Sequence, residues 1–113
     1  QPISMSEIGG NYKGLDVTPE RYIGVGNFSL PSSGTSCDYY FKYHNNPYVD
    51  ENIGTMNNFR RSTTINNAFV GESEFENEMF YTSFIVLPSK AILFFTWSDE
   101  DGMVSYGVGS KIN

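Results

Sequence analysis

The chain has 113 residues, a length that suits one domain and allows a single core without a disulfide or a structural metal. Its formal net charge is −6, with seven Lys and Arg against thirteen Asp and Glu, which argues against a nucleic-acid-binding surface. Nine Phe, eight Tyr and one Trp accompany eleven Gly, whereas the usual helix formers are scarce. This composition favours an all-β fold with many tight turns.

Cysteine usage and hydropathy restrict the class of protein further. Cys37 is the single cysteine, which excludes an intrachain disulfide and suits folding in a reducing compartment. Neither a secretory signal peptide nor an apolar run long enough to span a membrane is visible, so we expect no membrane insertion. The start at Gln1 indicates a mature form or an excised fragment.

The first third of the chain leads into alternating strands. Residues 1–13 are polar and Gly-rich, and we interpret them as an arm or a lead-in from a longer chain. Within residues 14–30, Gly24, Phe28 and Leu30 fall on one face of a predicted strand. Residues 31–35 (Pro-Ser-Ser-Gly-Thr) form a loop by composition.

The middle third begins with the cleanest alternation. Residues 37–44 alternate with a period of two, which predicts a strand with one buried face, formed by Cys37, Tyr39, Phe41 and Tyr43. Residues 45–58, rich in Asn, Gly and Pro, predict a long surface loop of the kind that usually carries a function. Residues 59–70 predict a weak strand or strand pair, and residues 71–77 an acidic turn.

The last third predicts three consecutive strands. Residues 79–87 and 91–97 are apolar on both faces, and residues 103–108 form a closing strand after a polar turn. Strand, turn, strand, turn and strand make an antiparallel meander. Short strands at this spacing are typical of a sandwich or a small barrel, and residues 1–113 are interpreted as one domain.

The residues that carry catalysis are few. His44 is the only histidine, and its odd offset of seven from Cys37 places the two on opposite faces of a strand, which argues against a Cys–His pair. A zinc site needs three or four ligands, so neither a metal nor another cofactor is expected. Four glutamates spaced by two predict a solvated strand face rather than a hydrolytic pair: Glu72, Glu74, Glu76 and Glu78. We therefore predict a non-enzymatic protein.

Candidate binding residues come from charge and aromaticity. Arg60 and Arg61 form the only cationic pair, which either contacts an acidic sugar or protein or neutralises nearby glutamates; the neutralising role is favoured. Tyr48 lies in the predicted long loop and offers a rigid contact surface with a polar tip. Residues 99–102 (Asp-Glu-Asp-Gly) resemble part of a calcium-binding loop but lack its remaining ligands. A charged turn is therefore favoured over a calcium site.

One stretch carries a family resemblance. Residues 14–27 open with Gly14-Leu15, continue with Val17, and return with Ile23-x-Val25 after a proline-containing turn. This pattern resembles the shaft repeat of adenovirus-type fibres. Residues 93–99 are similar to the aromatic strand late in adenovirus fibre heads, and residues 104–106 (Val-Ser-Tyr) to their short closing strand. The usual Thr-Leu-Trp junction between shaft and head is missing, and the chain is shorter than a typical head.

The resemblance implies a fold, an assembly and a role. It implies a compact antiparallel β-sandwich that forms a homotrimer, with residues 1–27 as a lead-in or a last shaft-like repeat. The head would lie on the virion surface, be folded and assembled inside the host cell, and attach the virion to a host-cell receptor, either protein or glycan. We place the receptor-binding residues at Tyr48, Arg60 and Arg61. A phage receptor-binding head would share this architecture and task.

Two other classes remain open. A carbohydrate-binding, lectin-like module of a larger protein would use aromatic residues and Asn-rich loops to bind glycans as a monomer. A small hydrolase would depend on the row of glutamates, and its activity would be lost when they are replaced.

Overall fold

The computed structural model describes residues 2–113; residue 1, the start of the predicted lead-in, lies outside the described residues. One short helix precedes eight strands: α1 (Met5–Ile8), β1 (Gly10–Val17), β2 (Ile23–Leu30), β3 (Cys37–Tyr43), β4 (Glu51–Arg61), β5 (Ala68–Phe75), β6 (Glu78–Val86), β7 (Ile92–Ser98) and β8 (Gly102–Lys111). None of the helices in the described part of the chain has the length and hydropathy needed to cross a membrane.

The strands form a closed barrel. Each strand pairs antiparallel with the next in sequence, and β8 returns to pair with β1. The all-β antiparallel fold predicted from the sequence is confirmed, but the sandwich of two sheets is not what the strands form. The physical reason is the pairing at Leu15↔Val108, which joins the first strand to the last and leaves no edge between two sheets.

Several predicted segments are confirmed and others are corrected. The alternation in β2 and β3 and the closing meander of β6, β7 and β8 are confirmed. The loop predicted at residues 45–58 is wrong in its second part, since β4 begins at Glu51, and the acidic turn predicted at residues 71–77 is largely the end of β5. Both segments are strands because their neighbours pair with them, although Asn, Gly and Glu have low intrinsic β propensity.

The resemblance to a fibre repeat coincides with one hairpin. Residues 14–27 form the second half of β1, a turn and the first half of β2, with Val17 paired to Ile23. A strand, a turn and a return strand are therefore present. The inward residues of this hairpin pack inside the barrel.

The core fills the end of the barrel where α1 lies, which we call the closed end. Tyr12 is buried at the start of β1, and its hydroxyl donates a 2.6 Å hydrogen bond to the carbonyl of Ile8, the last residue of α1. Phe28 stacks on Tyr12 with 5.1 Å between ring centroids, and Phe59 stacks on Phe69 at 5.4 Å. These rings leave the opposite end of the barrel, the open end, for a cavity.

Candidate functional site

The barrel contains a cavity of ≈ 580 Å³. It is lined by inward side chains from β1 to β8 and by Asn46 and Val49 of the β3–β4 loop. The strand directions place this loop and the β1–β2, β5–β6 and β7–β8 turns at the same end, the open end. The cavity therefore has one mouth, ringed by four turns, and a floor made by the core.

A split between two strands widens the mouth. β4 and β5 pair at Arg61↔Phe69, Arg60↔Val70 and Asn57↔Glu72, and their register shifts between Asn57 and Arg60, where Asn58 has a φ of +54°. No described residue before Asn57 on β4 pairs with β5. Ile53, Ser73 and Phe75 from the two splayed segments line the cavity. A bulge of this kind bends its strand, and here it opens the wall beside the mouth.

The floor of the cavity is aromatic. Phe28, Phe41, Phe84 and Phe94 are each at most 5% exposed and line the cavity. Phe94 contacts Phe28 edge-on at 5.4 Å and lies 5.9 Å from Phe41. Rings held in this way present a rigid apolar surface to a ligand.

A buried carboxylate interrupts this apolar lining. Asp16 is the last inward residue of β1 and is 3% exposed. The hydroxyl of Tyr43, on β3, donates a short hydrogen bond to Asp16 Oδ2. Burial raises the pKa of Asp16, and the hydroxyls of Tyr43 and Ser105 oppose that rise only in part. Burial and the neighbouring Asp16 charge also raise the pKa of Tyr43 well above its usual value.

A glycine between the two strands makes this hydrogen bond possible. Asp16 pairs with Gly24 on β2, and Gly24 in turn pairs with Tyr43. A Cβ on Gly24 would lie 2.8 Å from a ring carbon of Tyr43, so only glycine lets the ring cross β2 and reach Asp16. The three residues form one row across the barrel wall.

Other polar groups also line the cavity. The Thr82 and Thr96 hydroxyls, on β6 and β7, are 2.8 Å apart and hydrogen-bond to each other. Tyr39 lines the cavity beside Gly54, where a Cβ would lie 2.6 Å from the Tyr39 hydroxyl. Burial, followed by the charge of Asp16, raises the pKa of Tyr39. A few polar groups set in an apolar lining are typical of small-molecule sites, where they orient the ligand.

The open end is strongly acidic. Arg21 and Lys42 are the cations on its turns and strand ends, whereas Lys13, Arg60, Arg61, Lys90 and Lys111 lie on the other half of the barrel. Besides Asp16, the carboxylates at the open end are Glu20, Asp50, Glu51, Glu74, Glu76, Glu78, Asp99, Glu100 and Asp101. Most of the thirteen carboxylates of the chain therefore surround the mouth.

The predicted receptor-binding residues are not brought together. Tyr48 is 85% exposed in the β3–β4 loop at the open end. Arg60 and Arg61 end β4 near the closed end, where Arg60 Nη1 lies 2.8 Å from Glu72 Oε2 and Arg61 donates to the carbonyl of Ile3. The Arg61 guanidinium also lies 4.8 Å from the centroid of Phe69. The pairing of Arg60 with Glu72 is the neutralising role favoured from the sequence.

The other candidates from the sequence lie apart from the cavity or on its rim. Cys37 is buried, which raises the pKa of its thiol to about 12, and His44 is exposed just after β3. Among the described residues no group of three or more His, Cys, Asp or Glu is placed to hold a metal ion. Asp16 was missed because an isolated aspartate matches no motif and because the residues before it, 1–13, were interpreted as an arm. The signal was the alternation of Tyr12, Gly14 and Asp16, which puts all three on one face of β1.

Fold and site together define an eight-stranded up-and-down β-barrel with an internal cavity that opens at one end. Comparisons of the chain with family models, with curated proteins and with solved structures find no match.

Proposed function

We propose that this protein binds a small molecule inside its barrel and does so without catalysis. The observation that carries the proposal is the cavity of ≈ 580 Å³ with an aromatic floor and a few inward polar groups. Its volume lies within the roughly 300–1,000 Å³ that small-molecule sites occupy. Eight-stranded barrels have an interior wide enough to hold one small ligand when side chains do not fill it.

The closed end supports a binding role as well. Tyr12, Ile8 and the phenylalanine rings form a packed base that is held by side chains and does not depend on a ligand. Packed side chains of this kind hold the base of the cavity in one shape. A preformed site binds with less ordering of the protein, which favours affinity.

The test is dye binding with an occluded variant. We expect Nile red, a neutral apolar dye, to bind the protein with one dye per chain and with enhanced fluorescence. Thr96 lines the cavity, so Thr96→Trp fills part of it and is expected to weaken binding by about tenfold or more, since each lost contact of about 1.4 kcal/mol costs tenfold. Ser110→Trp, on the exposed end of β8, is the matched control. Equal binding by both variants, with unchanged circular dichroism, contradicts the proposal.

The fibre-head function is the second candidate, and an apolar outer surface supports its homotrimer. Val25, Leu15, Val108 and Leu93 adjoin one another across four strands and point outward, with exposures of 49, 42, 39 and 39%. A contiguous exposed patch of this kind is typical of a protein interface. Receptor attachment by Tyr48, Arg60 and Arg61 and a place on the virion surface stay predictions of the resemblance, as does glycan binding by a lectin-like module.

Light scattering tests the assembly. The fibre-head candidate predicts a stable trimer near three times 12.7 kDa, because the outer patch would be buried between copies. Leu15→Lys puts a charge in the patch and should shift the mass towards one chain, whereas Thr63→Lys, on the exposed β4–β5 loop, should leave it unchanged. A monomer in the unaltered protein counts against the fibre head and leaves the small-molecule proposal standing.

A further inference from the structure

We propose that the ligand of the cavity is a small organic cation, an amine whose ammonium group binds the Asp16 carboxylate while its apolar body lies on the aromatic floor. This inference rests on the proposed function, since it names the class of ligand for the same cavity. Three independent features support it.

The first feature is the setting of Asp16. A buried carboxylate is costly unless it is paired or hydrogen-bonded. Asp16 is 3% exposed, and its partners are the neutral hydroxyls of Tyr43 and Ser105. Among the described residues the one ion pair joins Arg60 to Glu72, so none of the cations in residues 2–113 lies within ion-pair distance of Asp16. An ammonium group would supply the missing positive charge and would be attracted to the ionised carboxylate.

The row Asp16–Gly24–Tyr43 fixes the position of this carboxylate. The Tyr43 hydroxyl donates its hydrogen bond to Asp16 Oδ2, and the Tyr43 ring is held against Gly24 on the intervening strand. The remaining acceptor positions of the carboxylate are on a side chain that lines the cavity. A carboxylate fixed in this way binds a donor without losing side-chain freedom on binding.

The second feature is the aromatic lining close to Asp16. Tyr39 and Tyr43 lie near enough to the carboxylate for its charge to raise the pKa of each phenol, and both line the cavity. Phe28 and Phe41 continue the same wall towards the floor. Faces of aromatic rings attract ammonium groups through their quadrupole and contact apolar ligand atoms equally well.

The third feature is the charge around the mouth. The open end carries the carboxylates named above, including Glu51 and Glu74 on the rim of the cavity, and most of the cations lie on the opposite half of the barrel. Such a distribution raises the local concentration of cations at the mouth and speeds their association. The same field repels anions. The negative charge at the mouth and the carboxylate inside the cavity therefore both favour a positively charged ligand.

The experiment compares three ligands of one shape. Phenylethylamine, phenylethanol and phenylacetate share a ring and a short chain but are cationic, neutral and anionic at neutral pH. Calorimetric titration of the unaltered protein is expected to give the amine the tightest binding, by roughly 10–100-fold over the alcohol, because hydrogen bonds to charged groups contribute about 1.5–3 kcal/mol. The carboxylate is expected to bind weakest.

A substitution at Asp16 tests whether the preference for the amine over the alcohol depends on the charge of this carboxylate. Asp16→Asn keeps the size and the acceptor for Tyr43 but removes the charge, so the amine should lose about 10-fold or more in affinity and the alcohol less than about threefold. Asp38→Asn, on the exposed outer face of β3 in the closed half of the barrel, removes one charge away from the mouth and is the control, with equilibrium affinity nearly unchanged. Melting curves of both variants establish that each is folded.

The outcomes separate the two proposals. Equal binding of amine and alcohol by the unaltered protein overturns the cationic ligand and leaves the small-molecule function standing. Tighter binding of the carboxylate also overturns it. An absence of binding by all three ligands and by Nile red removes the proposed function itself.

Discussion

Replacement of Phe28 by alanine is expected to lower the free energy of unfolding by about 3–5 kcal/mol, the cost of truncating a buried aromatic residue. Phe28 is 3% exposed and contacts more rings than any other residue of the core. It stacks on Tyr12 at 5.1 Å, meets Phe94 edge-on at 5.4 Å and lies 5.9 Å from Phe84. Its removal leaves a hole where the packed base meets the cavity.

The surroundings of Phe28 cannot relax to fill this hole. Its neighbours extend from β1, β3, β6 and β7, whose backbones are fixed by pairing on both sides around a closed barrel. A site that cannot collapse lies at the costly end of the range. Urea unfolding followed by circular dichroism measures the loss, and a domain of this size should melt about 10 °C lower or more.

Phe75→Ala is the matched control for this prediction. Phe75 also lies on an inward register position, on β5, but it is 66% exposed at the mouth. Its truncation is expected to cost less than about 1 kcal/mol, as for most substitutions outside a packed core. Similar losses for both variants would mean that the core does not centre on Phe28.

The sequence predicts the strands of this protein better than it predicts their closure. Alternation is local, so Phe28 and Leu30 in β2 and the aromatic residues of β3 are readily placed on one face. Closure depends on Leu15↔Val108, a pairing between strands at opposite ends of the chain, and no local pattern encodes it. The polar residues at the start of β1 were interpreted as part of an arm, so the strand that pairs with β8 was not predicted.

The candidate site was even less accessible to sequence reasoning. An isolated aspartate in a strand matches no motif, and Asp16 becomes notable only because Gly24 separates it from Tyr43 in the folded wall. Tyr43 was predicted to share a buried face with Cys37, which the structure confirms. Its partner could not be predicted, because that requires the order of β1, β2 and β3 and their register.

Alkaline pH is expected to lower the free energy of unfolding of this protein, and ionisation of the Cys37 thiol is expected to cause a large part of that loss. The thiol is 2% exposed, and burial, followed by the charge of Asp38, raises its pKa from 9.0 to about 12. Below pH 9 the thiol is protonated in both the folded and the unfolded chain. Between 9 and about 12 the unfolded chain loses this proton and the folded chain keeps it, so stability falls as the pH rises.

The size of this effect follows from the linkage of protons to folding. Each unit of pKa difference is worth about 1.4 kcal/mol, so a shift from 9.0 to about 12 corresponds to a loss of about 4 kcal/mol once the window is crossed. Burial also raises the pKa of Tyr12, Tyr39 and Tyr43, and these phenols add to the loss at higher pH with the same sign. The loss from Cys37 alone is close to the lower end of the 5–15 kcal/mol by which domains are stable.

Cys37→Ala separates the thiol from the phenols. The variant loses some packing at all pH values. Between pH 9 and about 12, however, its free energy of unfolding should fall less steeply with pH, because unfolding of the variant releases close to one proton fewer per chain. Urea unfolding at a series of pH values measures both slopes, and Tyr48→Phe, at an exposed residue, is the control that should follow the unaltered protein. Parallel slopes for the unaltered protein and Cys37→Ala would show that the thiol titrates alike in both states.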